Sequence, residues 1–374
     1  MRKEILNITK RMLLDKNYIW AIRQAYKWGA IKLASTLKLP PLTGPMMGGI
    51  VVTYRCNSRC KMCDLWKRAA LDKRAELATE EYLYLIDEFA KLGTSGIGFT
   101  GGEPLLRDDI YQLIHYARKK GMIVTISTNG LQLSNIEVAR KLIDSSPHNI
   151  NISLDSADES NYDWLRGTKG GFKSTIEGIR NVVSYKTEKR LKSPQIAVVT
   201  VLSRKNLYEL EAIISLCENI GVENIGFIPI QNSFEDDSNR AWDNLCFKNG
   251  NDDIGKTIDK LNRWRRNKKG IQIDNSKRYI QMFPLAFSAS PCPVKCIAGY
   301  GSLYVDAYGD VYPCLDWVEK KKAVNNIRSH SIINIWGSTE YRTLRRNLCF
   351  CRDCFWNCQT ELSLMFDLFS KIDK

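Results

Sequence analysis

The chain has 374 residues, 44% hydrophobic and 26% charged, which suits a soluble globular protein with one large domain and a smaller one. No run of about eighteen apolar residues occurs, so no spanning helix is expected, and the N-terminus lacks the apolar core and cleavage site of a secretory signal. Formal net charge is +14, of which residues 1–38 supply +7 (nine Lys/Arg less Glu4 and Asp15), so the basic excess belongs to one surface.

Residues 1–38 read as one or two helices, stopped by the Pro/Gly-rich KLPPLTGPMMGG. Within them Tyr18, Trp20, Tyr26 and Trp28 interleave with Arg23, Lys27 and Lys32. Two readings follow. Either the helix packs its apolar residues on the body and leaves its lysines in water, or it lies on an anionic membrane surface. No nucleic-acid reader motif accompanies the charge, so no nucleic-acid partner is expected.

An alternation of strands and helices then begins. Strands are predicted at 49–54, 96–101, 122–128, 149–155, 195–202 and 223–230. Helices are predicted at 79–93, with Thr79 as N-cap and Gly93 at the end, then at 108–121, 134–146, 172–188 and 206–220. Six short apolar strands with five helices between them imply a parallel sheet, here a partial (β/α)6 TIM-like barrel with its site at the C-terminal strand ends. Residues 231–290 are less regular, with a charged helix near 252–268. From 291 the chain turns cysteine-rich and turn-rich, as a small α+β domain would. The expected division is 1–48, a basic helical segment and linker; 49–230, the barrel; 231–290, a connecting region; and 291–374, the small domain.

Twelve cysteines without a secretion signal point to a reducing, cytoplasmic compartment, where clustered cysteines bind metal or do redox work. Attachment to the inner membrane face is the localisation that the basic N-terminus adds. Cys217 and Cys246 are isolated and read as small buried or incidental residues. Cys56, Cys60 and Cys63 follow the first strand directly, in Cys-x3-Cys-x2-Cys spacing. A structural metal site needs four ligands. Three thiolates can instead hold three irons of a 4Fe–4S cluster and leave the fourth for an exogenous ligand. The alternative is a zinc site completed from afar, although zinc sites usually show paired Cys-x2-Cys knuckles.

The triplet after the first strand of such a barrel resembles the radical S-adenosylmethionine (radical SAM) superfamily, over about residues 49–230. Met62 stands where that family more often has an aromatic residue. The resemblance extends to Gly101-Gly102-Glu103-Pro104, matching the motif that binds the SAM amino group. In that reading the glycines allow close backbone approach to a ligand and Glu103 pairs with an ammonium. Ser127 and Asn129 in STNG, and Ser153 and Asp155 in SLDS, occupy places where the family contacts the ribose and methionine moieties. Arg166 matches an arginine that reaches the SAM carboxylate. The implied chemistry is one-electron reductive cleavage of SAM to methionine and a 5′-deoxyadenosyl radical, which takes a hydrogen atom from a substrate C–H. A one-electron reductant such as flavodoxin or ferredoxin is the implied partner. Cys56, Cys60 and Cys63 are then the catalytic residues, and no residue stands out as a general acid or base.

Seven cysteines fall between Cys292 and Cys358. Cys296-x12-Gly309-x4-Cys314 frames a hairpin turning at Tyr308-Gly309-Asp310, and Cys349, Cys351, Cys354 and Cys358 follow. This resembles the SPASM/twitch extension, which holds auxiliary 4Fe–4S clusters. Seven cysteines cannot supply two all-cysteine clusters. One auxiliary cluster is expected, on Cys296, Cys314 and two of Cys351, Cys354 and Cys358; a second with an open or non-cysteine ligand, or a zinc ribbon, stays open. The resemblance implies peptide or protein maturation first. Modification of a small molecule, sugar or lipid precursor is the alternative, and a non-enzymatic iron–sulfur electron carrier the third reading.

Overall fold

The structure, a computed structural model, describes residues 18–231, 245–246, 252–266, 270–320 and 322–367. The expected helix before residue 18, and residues 267 and 268 of the charged helix, lie outside them. Seven strands run parallel in chain order: β1 Met47–Thr53, β2 Gly96–Gly101, β3 Ile123–Thr128, β4 Asn149–Ser153, β5 Gln195–Leu202, β6 Asn224–Pro229 and β7 Gln272–Ile273. The helices Thr79–Lys91, Ile110–Lys119, Ile136–Asp144, Gly171–Glu188 and Leu210–Ile220 return the chain between β1 and β6. Short elements had no signal in the sequence pattern, among them the helices Leu65–Leu71 and Glu159–Arg166, and β7.

The strands alternate with a period of two. Ile97 and Phe99, Val124 and Ile126, Ile150 and Ile152, and Ile225 and Phe227 pack into the main core. Their neighbours Gly98, Thr125, Ser127, Asn151, Ser153 and Gly226 face inward and line a cavity of about 330 Å³. The inner face is thus made of small and polar side chains, which leave the barrel hollow.

Helix starts differ in detail from expectation. Ala78, not Thr79, is the N-cap of Thr79–Lys91: its N–H donates to Glu81 Oε2 at 2.8 Å, while the Thr79 hydroxyl donates to Asp109 at 2.7 Å. Gly93 ends that helix at φ +72°, as expected of a left-handed cap.

The cysteine-rich C-terminal part does not stand apart from the barrel. Its strand β8 (Ser302–Val305) pairs parallel with β1, and β9 (Asp310–Tyr312) and β10 (Asn325–Asn326) follow antiparallel, so one sheet runs β10-β9-β8-β1-β2-β3-β4-β5-β6-β7. The hairpin turns at Gly309, and Asp306 caps it by accepting from Tyr308 N–H and Asp310 N–H, both at 2.9 Å. The other Asp306 oxygen accepts from Tyr54 (2.9 Å) and Tyr312 (3.1 Å), and Arg68 donates to the Tyr54 hydroxyl at 3.1 Å. This buried network fastens the hairpin to the end of β1.

The N-terminal helix, Tyr18–Leu37, packs Ile31, Ala34 and Trp28 on the body, as the first sequence reading expects, but it does not leave Lys27 and Lys32 in water. Lys27 is buried and donates to the carbonyls of Pro45, at 3.1 Å, and Gly93. Lys32 donates to Phe366 O, Trp28 stacks on the Phe366 ring and Trp20 lines the cavity. Lys27 and Lys32 therefore point inward, to backbone carbonyls, while Ile19, Ile22, Tyr26, Leu33 and Leu37 stay exposed beside Arg23.

Candidate active site

The loop after β1 carries Cys56, Cys60 and Cys63, and neighbouring strand ends hold it from three sides. On one side is the Gly101-Gly102-Glu103-Pro104 turn. A Cβ on Gly101 (φ +139°) would lie 2.3 Å from Thr53 O, and one on Gly102 would lie 2.2 Å from Arg55 O. Gly102 N–H donates to Thr53 O and Glu103 N–H to Arg55 O, both at 2.8 Å. The close approach expected of these glycines is therefore made to the cysteine loop's own backbone. Pro104 opens a buried 3-10 turn, Pro104–Leu106.

Glu103 is fully buried. Its carboxylate accepts from Leu105 N–H (3.0 Å), the Thr128 hydroxyl (2.7 Å) and Asn129 N–H (2.7 Å), joining the end of β2 to that of β3. Burial pushes its pKa up; these donors and the Arg166 charge oppose that.

The second support is Asn129. Its amide donates to Asn57 Oδ1 at 2.7 Å and Ser58 Oγ at 3.2 Å, and lies 3.9 Å from the Cys56 sulfur. The third is the end of the helix Glu159–Arg166. The carbonyls of Arg166 and Leu165 accept from Arg59 N–H (3.0 Å) and Lys61 N–H (2.9 Å), and Arg166 Nη1 lies 3.7 Å from the Cys60 sulfur. Asp155 and Arg166, which the resemblance assigns to separate SAM contacts, form a buried ion pair at 2.6 Å. Arg166 Nε is buried with no protein acceptor. Ser127 and Ser153 line the cavity directly below, and Met62 packs half-buried against the main core.

Burial pushes all three thiols of the triplet up. Holding them as thiolates needs compensating positive charge, which cluster irons supply and Arg166 supplements at Cys60. Cys63 also faces Glu319, half-buried, whose carboxyl is pushed up to about 7, first by desolvation. No sequence signal pointed to Glu319, because only the fold brings residue 319 to residue 63.

Cys296, Cys314, Cys351, Cys354 and Cys358 gather in the C-terminal part. Cys296 hydrogen-bonds Cys351, and Cys314 feels the charges of Cys351 and Cys358. Cys292, outside the expected set, lies beside Cys351. Cys349 turns away: it is buried against the N-terminal helix, its sulfur 3.9 Å from Ser35 O. Cys358 lines the barrel cavity, as does Tyr304, which hydrogen-bonds it. Among the described residues no three Cys, His, Asp or Glu side chains converge on a single-ion site.

A parallel barrel with an incomplete cysteine set at its C-terminal strand ends, and a second cysteine field opening on the same cavity, defines an iron–sulfur protein. Residues 50–217 match the family model of the radical SAM superfamily, and residues 296–355 match that of SPASM, an iron–sulfur cluster-binding domain. The chain belongs to the radical SAM superfamily, with a C-terminal SPASM domain, and its cofactors are 4Fe–4S clusters and SAM.

It is 35% identical over 173 residues to the AdoMet-dependent heme synthase of Nitratidesulfovibrio vulgaris (strain Hildenborough), covering 46% of this chain and 44% of that protein, so it spans under half the relative's length. It is 26% identical over 310 residues to the AdoMet-dependent heme synthase of Methanosarcina barkeri (strain Fusaro), covering 79% and 83% of the two chains. Streptococcus suis SuiB bound to precursor peptide SuiA shares the fold, with TM-score 0.63 and 15% identity over 87% of this chain and 72% of that one. No described helix is long and apolar enough to cross a membrane.

Proposed function

We propose that this protein is an enzyme that reductively cleaves SAM and abstracts a hydrogen atom from a substrate held in the barrel cavity. One observation carries the reading: the Cys56–Cys60–Cys63 loop sits at the strand ends whose preceding residues Thr100, Ser127 and Ser153 line that cavity, and Cys358 lines it too. In this reading Cys56, Cys60 and Cys63 hold the 4Fe–4S cluster that binds SAM. When bound, cluster and SAM supply the one-electron cleavage and the hydrogen-abstracting radical.

The chain's own residues position and shield. Asn129 and the Gly101-Gly102 turn fix the loop, and Glu103 holds the strand ends in register. The Asp155–Arg166 pair keeps a cation beside Cys60, with its orphan Nε as a donor for a bound carboxylate. Cys296, Cys314 and two of Cys351, Cys354 and Cys358 hold an auxiliary cluster. A one-electron reductant such as flavodoxin or ferredoxin serves the first cluster.

For the substrate we favour a small molecule or lipid precursor of low negative charge. Asp274 is the single charged side chain among the described lining residues, none of which is Lys or Arg. Heme, to which the relatives' names point, carries carboxylates that such a lining would leave unpaired. A peptide, the expectation from sequence, would lie across the mouth and send one side chain in.

The anaerobically reconstituted, reduced protein should convert SAM to methionine and 5′-deoxyadenosine. Cys56→Ala, Cys60→Ala and Cys63→Ala should each abolish that conversion, and a variant that still forms 5′-deoxyadenosine would remove the site assignment.

A further inference from the structure

The helix Tyr18–Leu37 is apolar on two sides: Ile31 and Ala34 are buried against the body, and a second apolar stripe faces outward. Its inner face carries Lys27, Lys32 and Gln24 against the barrel; Gln24 accepts from Ser95 Oγ at 2.6 Å, just before β2. Its outer face carries Ile19, Ile22 and Tyr26, which are 67%, 68% and 68% exposed, and Leu33 and Leu37, at 48% and 58%. Spacings of three, four, seven and four residues put these five on one stripe. Phe350, 71% exposed under Lys38, adds to it beyond the helix end. An apolar stripe at the centre of an exposed helix face is the reverse of what water selects.

The surroundings of the stripe are basic. The helix covers the end of the barrel where strands begin, and each returning helix ends there. Lys27 shows this directly by donating to Gly93 O, just past the end of Thr79–Lys91. Lys91, Lys119, Lys189, Arg190 and Lys192, all exposed, therefore share that end with Arg23. Acidic groups share that end: Asp87 pairs with Lys120 at 2.6 Å, Glu88 with Lys91 at 3.9 Å and Glu223 with Lys186 at 2.5 Å, and Asp144 and Glu188 are exposed.

We propose that this end of the molecule docks on an anionic lipid bilayer, with Ile19, Ile22, Tyr26, Leu33 and Leu37 entering the headgroup region. Apolar insertion and basic attraction to acidic lipid act together on such a surface. A second copy of the chain is the poorer occupant, because stripe-to-stripe pairing would bring the two basic rims face to face. The active-site mouth lies at the opposite end of the barrel and stays free.

The inference stands apart from the proposed chemistry, since vesicle binding is read without SAM or reductant. The full chain is floated with vesicles of phosphatidylcholine alone and of phosphatidylcholine with roughly a third phosphatidylglycerol. The anionic vesicles should carry the protein about tenfold more strongly, and roughly 0.5 M salt should release most of it. Ile22→Ser/Tyr26→Ser/Leu33→Ser should lose binding by about tenfold. Its iron content should not change and its melting temperature should shift only slightly, because Ile22, Tyr26 and Leu33 are 68%, 68% and 48% exposed. Three results would overturn the proposal: no flotation of the unmodified chain, undiminished flotation of the triple variant, or a solution dimer that the triple variant converts to monomer.

Discussion

Glu103 shows what a single buried acceptor does for this site. One oxygen takes Leu105 N–H and the Thr128 hydroxyl, and the other takes Asn129 N–H, so three donors from two strand ends meet on one carboxylate. In Glu103→Gln the new amide must face at least one of these donors and leave it unpaired. The expected cost is about 1–3 kcal/mol of stability. Denaturant unfolding should detect it, together with a weaker SAM Kd at unchanged iron content. Unaltered stability and SAM affinity would show that the carboxylate is not shared in this way. The motif was legible in the sequence as a ligand-contacting turn. Its second duty was not, because Thr128 and Asn129 reach it only once β2 and β3 are paired.

At the scale of elements, strand limits fall within two residues of those expected, because period-two alternation marks a strand wherever one face is apolar. The short helix Glu159–Arg166 escaped notice although it delivers Arg166, since eight residues carry little periodic signal. The entry to β4 yields a pH prediction. His148 Nδ1 accepts from Val124 N–H at 2.9 Å, with the Arg118 guanidinium alongside, and burial first and then that charge push its pKa down to about 4. The folded state thus holds the neutral ring, while the unfolded chain takes up a proton near the ordinary value of 6.5. This contribution is fully present above about pH 6.5 and is lost as pH falls towards 4, amounting to on the order of 2 kcal/mol. His148→Asn cannot titrate, so it should lose less stability than the parent between about pH 7 and 5 in urea titrations. Equal losses would mean that His148 is not held neutral.

For the whole molecule, the joining of β8 to β1 matters most. Cys296 and Cys314 flank a continuation of the barrel sheet, and the Tyr54–Asp306–Tyr312 network locks that continuation in place. Cys358 can line the barrel cavity only because of this arrangement. Cys314→Ala should therefore lower bound iron by one cluster's worth and leave some SAM cleavage, with product formation more strongly affected. Iron and sulfide content equal to the parent's would show that Cys314 holds no cluster.

The sequence by itself determined the first six strands and the five helices between them, the barrel class, the two cysteine fields and the family. Each of these rests on local spacing: apolar alternation, returning helices, and thiols a few residues apart. Tertiary structure decided what depends on distant residues meeting. It paired Asp155 with Arg166, brought Glu319 to Cys63, and turned Cys349 away from the other cysteines. It also turned two lysines of the N-terminal helix inward. Charge and hydropathy predict lysines in water, but carbonyls at Pro45, Gly93 and Phe366 offered Lys27 and Lys32 acceptors that only the folded barrel assembles. Sequence periodicity shows that a helix has two faces; which face turns inward depends on the hydrogen-bonding groups waiting there.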